Sequence, residues 1–512
     1  MVSALGTFVV AMALYWPTLM PGVGFWDTAE YQTVGPVLGI AHPTGFPSYT
    51  LLTWLASIVL QPFGDTAFRL NLFSAILVAG ACALLAATIE RLTHRPIPAV
   101  AAGVILATAQ IAWWTSERAE SHALHLFLSL LILYLLVAWA QRVRDPGRQA
   151  SRLAARDGDW LLLAASVVYA VSLGNHGLTL LLAPGIALFL LVVQPNLPVA
   201  RPRLVLACAA TIVLITAALY AYIPIRASMN PPLDYAHPTT PSRFLYLVLG
   251  VQFQGLLTNP LQGGFGPIAD LFSQQIGIVA FAVAAIALVV VLVARSDLGG
   301  RVGVPVAVLT VAWFAVVTVF SRGYNDGEPD RYFLGPISMI AFWAGIGAAL
   351  AWDVLAHAID RFRARHRGMA VPAAASLIAA AIVLAIPAQH ALAGRDQQAP
   401  EAQDDAGARW LDAAYAALPP DAVVVSWWSY STTLWYGRWV EGRRPDVQIV
   451  DDRNVLDDGY GTAQAAVDHF LALGRPVYLI RQPQDIPAFA SRYRLVAYPT
   501  IPGYSPLWKV VR

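Results

Sequence analysis

The chain of 512 residues is 57% hydrophobic and only 12% charged, with a mean hydropathy of +0.58. Soluble domains carry about 25% charged residues, so this composition excludes a disordered chain and a wholly soluble enzyme and points to an integral membrane protein with many spans. The formal net charge of +2 excludes a strongly basic nucleic-acid binder, and the two cysteines, Cys82 and Cys208, lie in apolar runs and supply no disulfide or zinc framework.

Crossing the hydrocarbon core takes about 20 apolar residues in a helix. Such runs predict eleven spans, at roughly 3–20, 67–90, 97–114, 122–141, 160–174, 177–193, 203–223, 274–294, 302–320, 332–355 and 370–391. The fifth is short, as expected of a helix that stops at a cavity. The first lacks a small-residue cleavage site and runs into Trp16, Pro17 and Pro21, so it reads as a retained span. Alternate loops hold Arg91 and Arg95; Arg142, Arg144, Arg148, Arg152 and Arg156; Arg201 and Arg203; Arg295 and Arg301; and Arg361, Arg363, Arg365 and Arg367. The opposite loops hold only Arg69, Arg118, Arg226, Arg243, Arg322 and Arg331 before the C-terminal region. The positive-inside rule puts the first set in the cytoplasm, with the N-terminus inside and everything after residue 391 outside. The expected location is the inner (plasma) membrane, with the chemistry on the external, periplasmic face. The acids Asp27, Glu30, Asp65, Glu117, Glu120, Asp234, Asp270, Asp326, Glu328 and Asp330 all fall on that face.

Taken in chain order, the first external segment, 21–66, opens with Phe25-Trp26-Asp27-Thr28-Ala29-Glu30-Tyr31. A spacing of three puts both carboxylates on one face if the segment is helical. Acids at a helix start are common for dipole reasons alone, but carboxylates among aromatic residues beside a membrane call for a task or a partner. His42-Pro43-Thr44-Gly45-Phe46-Pro47 is a rigid turn, equally readable as punctuation or as a ligand contact. Glu117, Arg118, Glu120, His122 and His125 gather at the mouth of the fourth span. An Arg118–acid ion pair is the plain reading, and His122 with His125, one turn apart, face a cavity in the other. Gly174-Asn175-His176-Gly177 is a tight turn with polar choices unusual for an apolar hairpin. The second long external segment, 224–273, carries Arg226 and a helical stretch near 241–254 suited to the interface. Arg226, Arg322 and Arg331, the last followed by Tyr332, serve as interfacial anchors or as a phosphate clamp, since guanidinium grips phosphate bidentately.

The C-terminal region changes character. An amphipathic helix at 404–417, a strand at 422–426, a helix over 430–440 capped by Ser429, a strand at 447–450, a helix near 463–473 and a strand at 477–480 predict a small α/β domain. The expected organisation is a transmembrane catalytic domain over 1–391, including the loops 21–66 and 224–273, and an external α/β domain over 392–512.

A carboxylate near arginines suits group transfer from a phosphate leaving group. The carboxylate deprotonates an acceptor hydroxyl while cations stabilise the departing charge. Nucleotide sugars are cytoplasmic, so an external site needs a sugar carried on a lipid. At Asp27-Thr28-Ala29-Glu30, His42-Pro43-Thr44-Gly45-Phe46-Pro47, Gly174-Asn175-His176 and Pro224-Ile225-Arg226-Ala227 the chain resembles the protein O-mannosyltransferase-like family, glycosyltransferase family 117, formerly a domain of unknown function, within the GT-C glycosyltransferase superfamily. The resemblance covers most of residues 20–340. It implies a multi-spanning helical bundle, a polyprenyl-phosphate-linked sugar as donor, a protein or glycan as acceptor, Asp27 as base and Glu30 beside it. It implies further that His42, His176, Arg226 and Arg331 contact the donor phosphate, with Glu120, His122 and Tyr332 also in the substrate site. No cofactor is implied with certainty, and a divalent metal stays open. Two rivals remain, a polymerase or ligase extending a cell-envelope glycan and a transporter or flippase of lipid-linked substrates. The second lacks the internal repeat and mid-span charges expected of it.

Overall fold

The computed structural model describes residues 2–145, 158–262, 264, 266–294, 302–325, 329–365, 394, 399–498 and 502–511. The expected span at 370–391 and the domain boundary at 391 lie outside the described residues, as do Arg148, Arg152, Arg156, Arg295, Arg301, Asp326, Glu328 and Arg367.

Most of the chain is a helical bundle. Helix Thr66–Thr93 is its centre and packs against Val2–Tyr15, Pro96–Ala107 and Ser121–Arg144. Its start is fixed by Asp65, whose side chain accepts from the Phe68 amide at 2.8 Å, and its end by His94 in the left-handed region, with Pro96 opening the next helix. Around this centre, Asp159–Leu173 packs on Ser121–Arg144 and Pro202–Ala227, Ala183–Val193 on Gly303–Gly323, and Ile278–Ala294 on Leu334–Arg365.

Among the described residues, five helices are long and apolar enough to cross a membrane, and seven segments qualify if each bent pair counts as one. The shorter apolar helices Val2–Thr18, Asp159–Leu173 and Gly177–Val193 coincide with three further expected runs. Two expected straight spans are broken instead. The run at 97–114 bends by 72° between Pro96–Ala107 and Gln110–Ser116, and the run at 274–294 contains a 108° turn between Gly266–Ile276 and Ile278–Val293. Periodicity does not register such breaks. The first lies where Ala109 takes an extended conformation, and the second where Gly277 adopts φ +79°. The short fifth helix, Asp159–Leu173, covers about 22 Å at 1.5 Å per residue, less than the roughly 30 Å hydrocarbon thickness. It ends at Gly174, where a Cβ would come within 2.5 Å of Ser48 Oγ.

The C-terminal region holds a five-stranded sheet in the order β2-β1-β3-β5-β4. Strands β1 (Val423–Val425), β2 (Gln448–Val450) and β3 (Val477–Leu479) are parallel; β4 (Arg494–Tyr498) and β5 (Leu507–Val511) complete it in antiparallel fashion. β1 is three buried valines, the continuous apolar run that a central parallel strand requires. Ser429 does not cap the following helix. That helix spans Trp428–Trp435, because the Trp427 carbonyl accepts the Tyr430 and Ser431 amides and so sets its start, and it closes in a π-turn at Tyr436–Val440.

Candidate functional site

The segment after the first apolar helix folds back as two short helices, Trp26–Val34 and Pro47–Val59. A buried amide pair holds the first in place. Gln32 Nε2 donates to Asn71 Oδ1 at 2.8 Å and to the Gly22 carbonyl at 3.1 Å, and Gln32 Oε1 accepts from the Gly24 amide at 3.0 Å. Asn71 Nδ2 donates to the Met20 carbonyl at 2.9 Å, and its Oδ1 also accepts from the Ala119 amide at 2.9 Å. Asn71 therefore ties both loop 20–25 and loop 117–120 to the central helix. Asn71→Leu is expected to lower stability by several kcal/mol, since it strands buried groups worth about 1–3 kcal/mol each; thermal unfolding of the purified variant checks this, and an unchanged midpoint would refute it.

Asp27 and Glu30 emerge from this helix one turn apart. Asp27 Oδ1 accepts from Trp428 Nε1 at 2.8 Å and its Oδ2 lies 3.4 Å from Arg331 Nη1. The same Arg331 nitrogen lies 3.7 Å from Glu120 Oε2. Glu120 caps the helix Ser121–Arg144, accepting from the His122 amide at 3.3 Å. Glu30, fully buried, takes the His42 amide on Oε1 at 2.8 Å and the His42 ring nitrogen Nδ1 on Oε2. The turn that carries His42 is anchored to the 171–174 segment, where the Ser48 amide donates to the Gly174 carbonyl at 2.9 Å and Ser48 Oγ to that of Val171 at 2.8 Å.

The electrostatics follow from these contacts. Burial pushes the Asp27 carboxyl up, but the charges of His42 and Arg331, with hydrogen bonds from Trp428 and Arg331, outweigh it and hold Asp27 below its ordinary value. Burial pulls His42 down, while Glu30 and Asp27 together hold it above its ordinary value. The arrangement is an ionised carboxylate beside a cationic arginine and a histidine favoured in its protonated form. Asp27, Glu30 and His42 also have ligand atoms all within 4.8 Å of one another, the donor set among the described residues that could share a cation. His122 and His125 do not form such a set there. Their rings meet His176, at 4.6 and 5.7 Å between centroids, and His122 stands edge-on to Tyr332 at 5.0 Å. Tyr332 in turn lies beside the Arg331 guanidinium, 5.7 Å from its ring centroid.

The structure thus gathers Asp27, Glu30, His42, Glu120, His122, His176, Arg331 and Tyr332 into one connected cluster. Arg226 is engaged elsewhere. Its Nε donates to the Leu38 carbonyl at 2.8 Å and its Nη2 to that of Val37 at 3.4 Å, strapping the turn after the first short helix. Arg322 donates to the Gln262 carbonyl at 2.7 Å. Of Arg226, Arg322 and Arg331, the one that joins this cluster is Arg331. Arg118 is an ion pair, 2.7 Å from Glu401, with its guanidinium 4.1 Å from the Trp114 ring centroid. Residue-by-residue reading missed the amide pair Gln32–Asn71, although Asn71 inside an apolar helix was a visible signal. It also gave no sign that Trp428 reaches Asp27, because 401 positions separate them.

Known proteins share this architecture. Residues 27–198 match the family described as the Protein O-mannosyl-transferase TMEM260 N-terminal domain. The mouse (Mus musculus) Protein O-mannosyl-transferase TMEM260 is 24% identical over 480 residues, which is 90% of this chain; the chain spans 63% of that relative's length. Among solved structures, ArnT from Cupriavidus metallidurans bound to undecaprenyl phosphate superposes with a TM-score of 0.63 at 13% identity, over 99% of this chain and 97% of that one. The Archaeoglobus fulgidus oligosaccharyltransferase, tethered to an acceptor peptide containing the NVT sequon, gives 0.55 at 14% identity, over 95% and 70%. The chain is thus similar over most of its length to the mouse protein O-mannosyl-transferase TMEM260, and it shares its fold with the ArnT and oligosaccharyltransferase structures.

Proposed function

We propose that the protein is a membrane glycosyltransferase that moves a sugar, mannose by analogy with its named relative, from a polyprenyl-phosphate carrier to an acceptor hydroxyl on the external face, with Ser or Thr of a protein as the acceptor. The observation that carries this reading is Asp27, a carboxylate held in its ionised form beside Arg331 in a site lined by aromatic rings and histidines. The undecaprenyl phosphate of the ArnT structure supports the carrier, and the name of the mouse relative supports the acceptor.

In this mechanism Asp27 takes the proton of the acceptor hydroxyl as that oxygen forms its bond to the anomeric carbon. The bond from that carbon to the phosphate oxygen breaks with its electron pair, and the polyprenyl phosphate leaves. Arg331 stabilises the charge growing on the phosphate, with His122 and His176 donating hydrogen bonds to it. Glu30 holds His42 in place and favours its protonated form. Direct displacement with one base inverts the anomeric carbon. Residues 1–391 form the catalytic membrane domain and 392–512 an external α/β domain. The test is transfer of labelled mannose from polyprenyl-phosphate mannose to a Ser/Thr-containing peptide by the purified protein. Transfer to a glycan in place of the peptide would favour a cell-envelope polymerase, and no transfer or donor hydrolysis with any polyprenyl-phosphate sugar would overturn the reading.

The arginine distribution sets the orientation in this proposal. A reporter fused after Arg512 is expected to be active only outside the cytoplasm. Cytoplasmic fluorescence from the folded fusion would contradict an external C-terminus.

A further inference from the structure

Asp27 has one partner that the membrane helices do not supply. Trp428 stands at the start of the helix Trp428–Trp435 in the C-terminal region and donates its indole N–H to Asp27 Oδ1 at 2.8 Å. That helix packs against the first short helix, and contacts to the residues just before it and to the central helix hold its far end. Thr433 Oγ1 donates to the Gly24 carbonyl at 2.8 Å, and the Tyr436 hydroxyl accepts from the Ala67 amide at 3.0 Å. Rings pair across the same seam, Trp26 with Trp427 at 5.0 Å and Phe25 with Tyr430 at 5.4 Å. The Trp428 ring is itself held, edge-on to His42 at 5.7 Å and to Tyr235 at 6.1 Å and against Trp435 at 5.7 Å. The indole nitrogens of Trp427 and Trp435 are buried with no hydrogen-bond partner among the described residues. Of these three indoles, the one aimed at the carboxylate is the one with a polar target.

We infer that Trp428 is a positioning residue: it fixes Oδ1 of Asp27 so that Oδ2, whose contact with Arg331 is long at 3.4 Å, is the oxygen presented to the acceptor proton. The candidate site is then composite, with its base carried by the membrane domain and aimed by the C-terminal region. The inference rests on Asp27 as the base. The other charged or titratable groups facing Asp27 are Glu30 and Tyr31 on its own helix, His42 on the following turn, and Arg331, which also meets Glu120.

The test uses the full chain, with labelled polyprenyl-phosphate mannose as donor and a Ser/Thr-containing peptide as acceptor. Trp428→Phe keeps the ring and removes the N–H. It is expected to lower kcat by about 10- to 100-fold, the effect of losing one hydrogen bond to a charged group, with little change in donor KM. The N–H favours the ionised carboxylate, so its loss also moves the acid limb of the pH–rate profile to higher pH. Trp428→Tyr, which restores a donor on a flat ring, is expected to recover part of the rate and move the limb back. The position of that limb does not depend on how much protein is folded, so a poorly folding variant still gives a reading. An acid limb at the wild-type pH in Trp428→Phe, or a loss expressed mainly in KM, would overturn the positioning role while leaving the base in place. Failure of the base itself is separate: it would appear as wild-type transfer by an Asp27→Asn variant.

Discussion

Asp27→Asn protein is expected to fold normally, bind the lipid donor and transfer sugar about 10²–10⁴-fold more slowly than wild type. The amide keeps the shape of the carboxylate and can still accept from Trp428, but it cannot take a proton. The loss therefore falls on the chemical step, and single-turnover transfer from a labelled lipid donor measures it directly. The ion pair of Asp27 with Arg331 is lost in this variant, so a modest change in thermal stability accompanies the rate effect. Glu30→Gln is expected to cost less, because Glu30 is committed to His42. A folded Asp27→Asn protein that transfers at near wild-type rate would move the base elsewhere, with Glu30 and then Glu120 next in line.

Arg331→Ala is expected to combine two losses. Removing a charge-assisted contact to phosphate costs about 1.5–3 kcal/mol of donor binding, and more where water is excluded. The same change leaves Asp27 and Glu120 facing each other's charge without the cation between them. Asp27 then moves up, since His42 and Trp428 remain to offset burial but the guanidinium does not. The acid limb of the rate moves to higher pH, so the defect is deepest in mildly acidic solution and shallower at neutral pH. Arg331→Lys restores the charge but not the planar fork, and only part of the donor affinity returns. Donor titration by calorimetry and a pH–rate profile separate the two effects. Donor affinity equal to wild type in the alanine variant would make Arg331 an interfacial anchor.

Much of this arrangement was legible in the amino-acid order, for reasons that can be named. The helical bundle follows from long apolar runs, because a chain so poor in charge has few other ways to satisfy its backbone. Asp27 and Glu30 stood out as carboxylates set among Phe25, Trp26 and Tyr31, and the strand at 422–426 as a run of three valines, whereas His42 read equally as turn punctuation. The bends near Ala109 and Gly277 were hidden, since hydropathy counts residues without following backbone direction. Strands β4 and β5 were hidden as well. β4 is mostly exposed, with Leu495 alone half-buried between Arg494 and the exposed Val496, Ala497 and Tyr498, so its pattern carries little burial signal. The engagement of Arg226 was hidden for a related reason. Its side chain reaches carbonyl oxygens of an adjoining turn, and nothing in a local sequence window tells such a strap from a ligand contact. The Trp428–Asp27 bond was invisible because no local rule links residues so far apart.

That last separation has a consequence in time. Translation delivers Asp27 well before Trp428, which follows only after the membrane helices between them have been made. Until the C-terminal helix docks, the carboxylate has its arginine but not its indole, and the seam of Phe25, Trp26, Trp427 and Tyr430 is open. A nascent or partly inserted chain therefore carries an unfinished centre. Completion of the fold and completion of the candidate site therefore coincide, and a molecule stalled during membrane insertion lacks the contact that aims the proposed base.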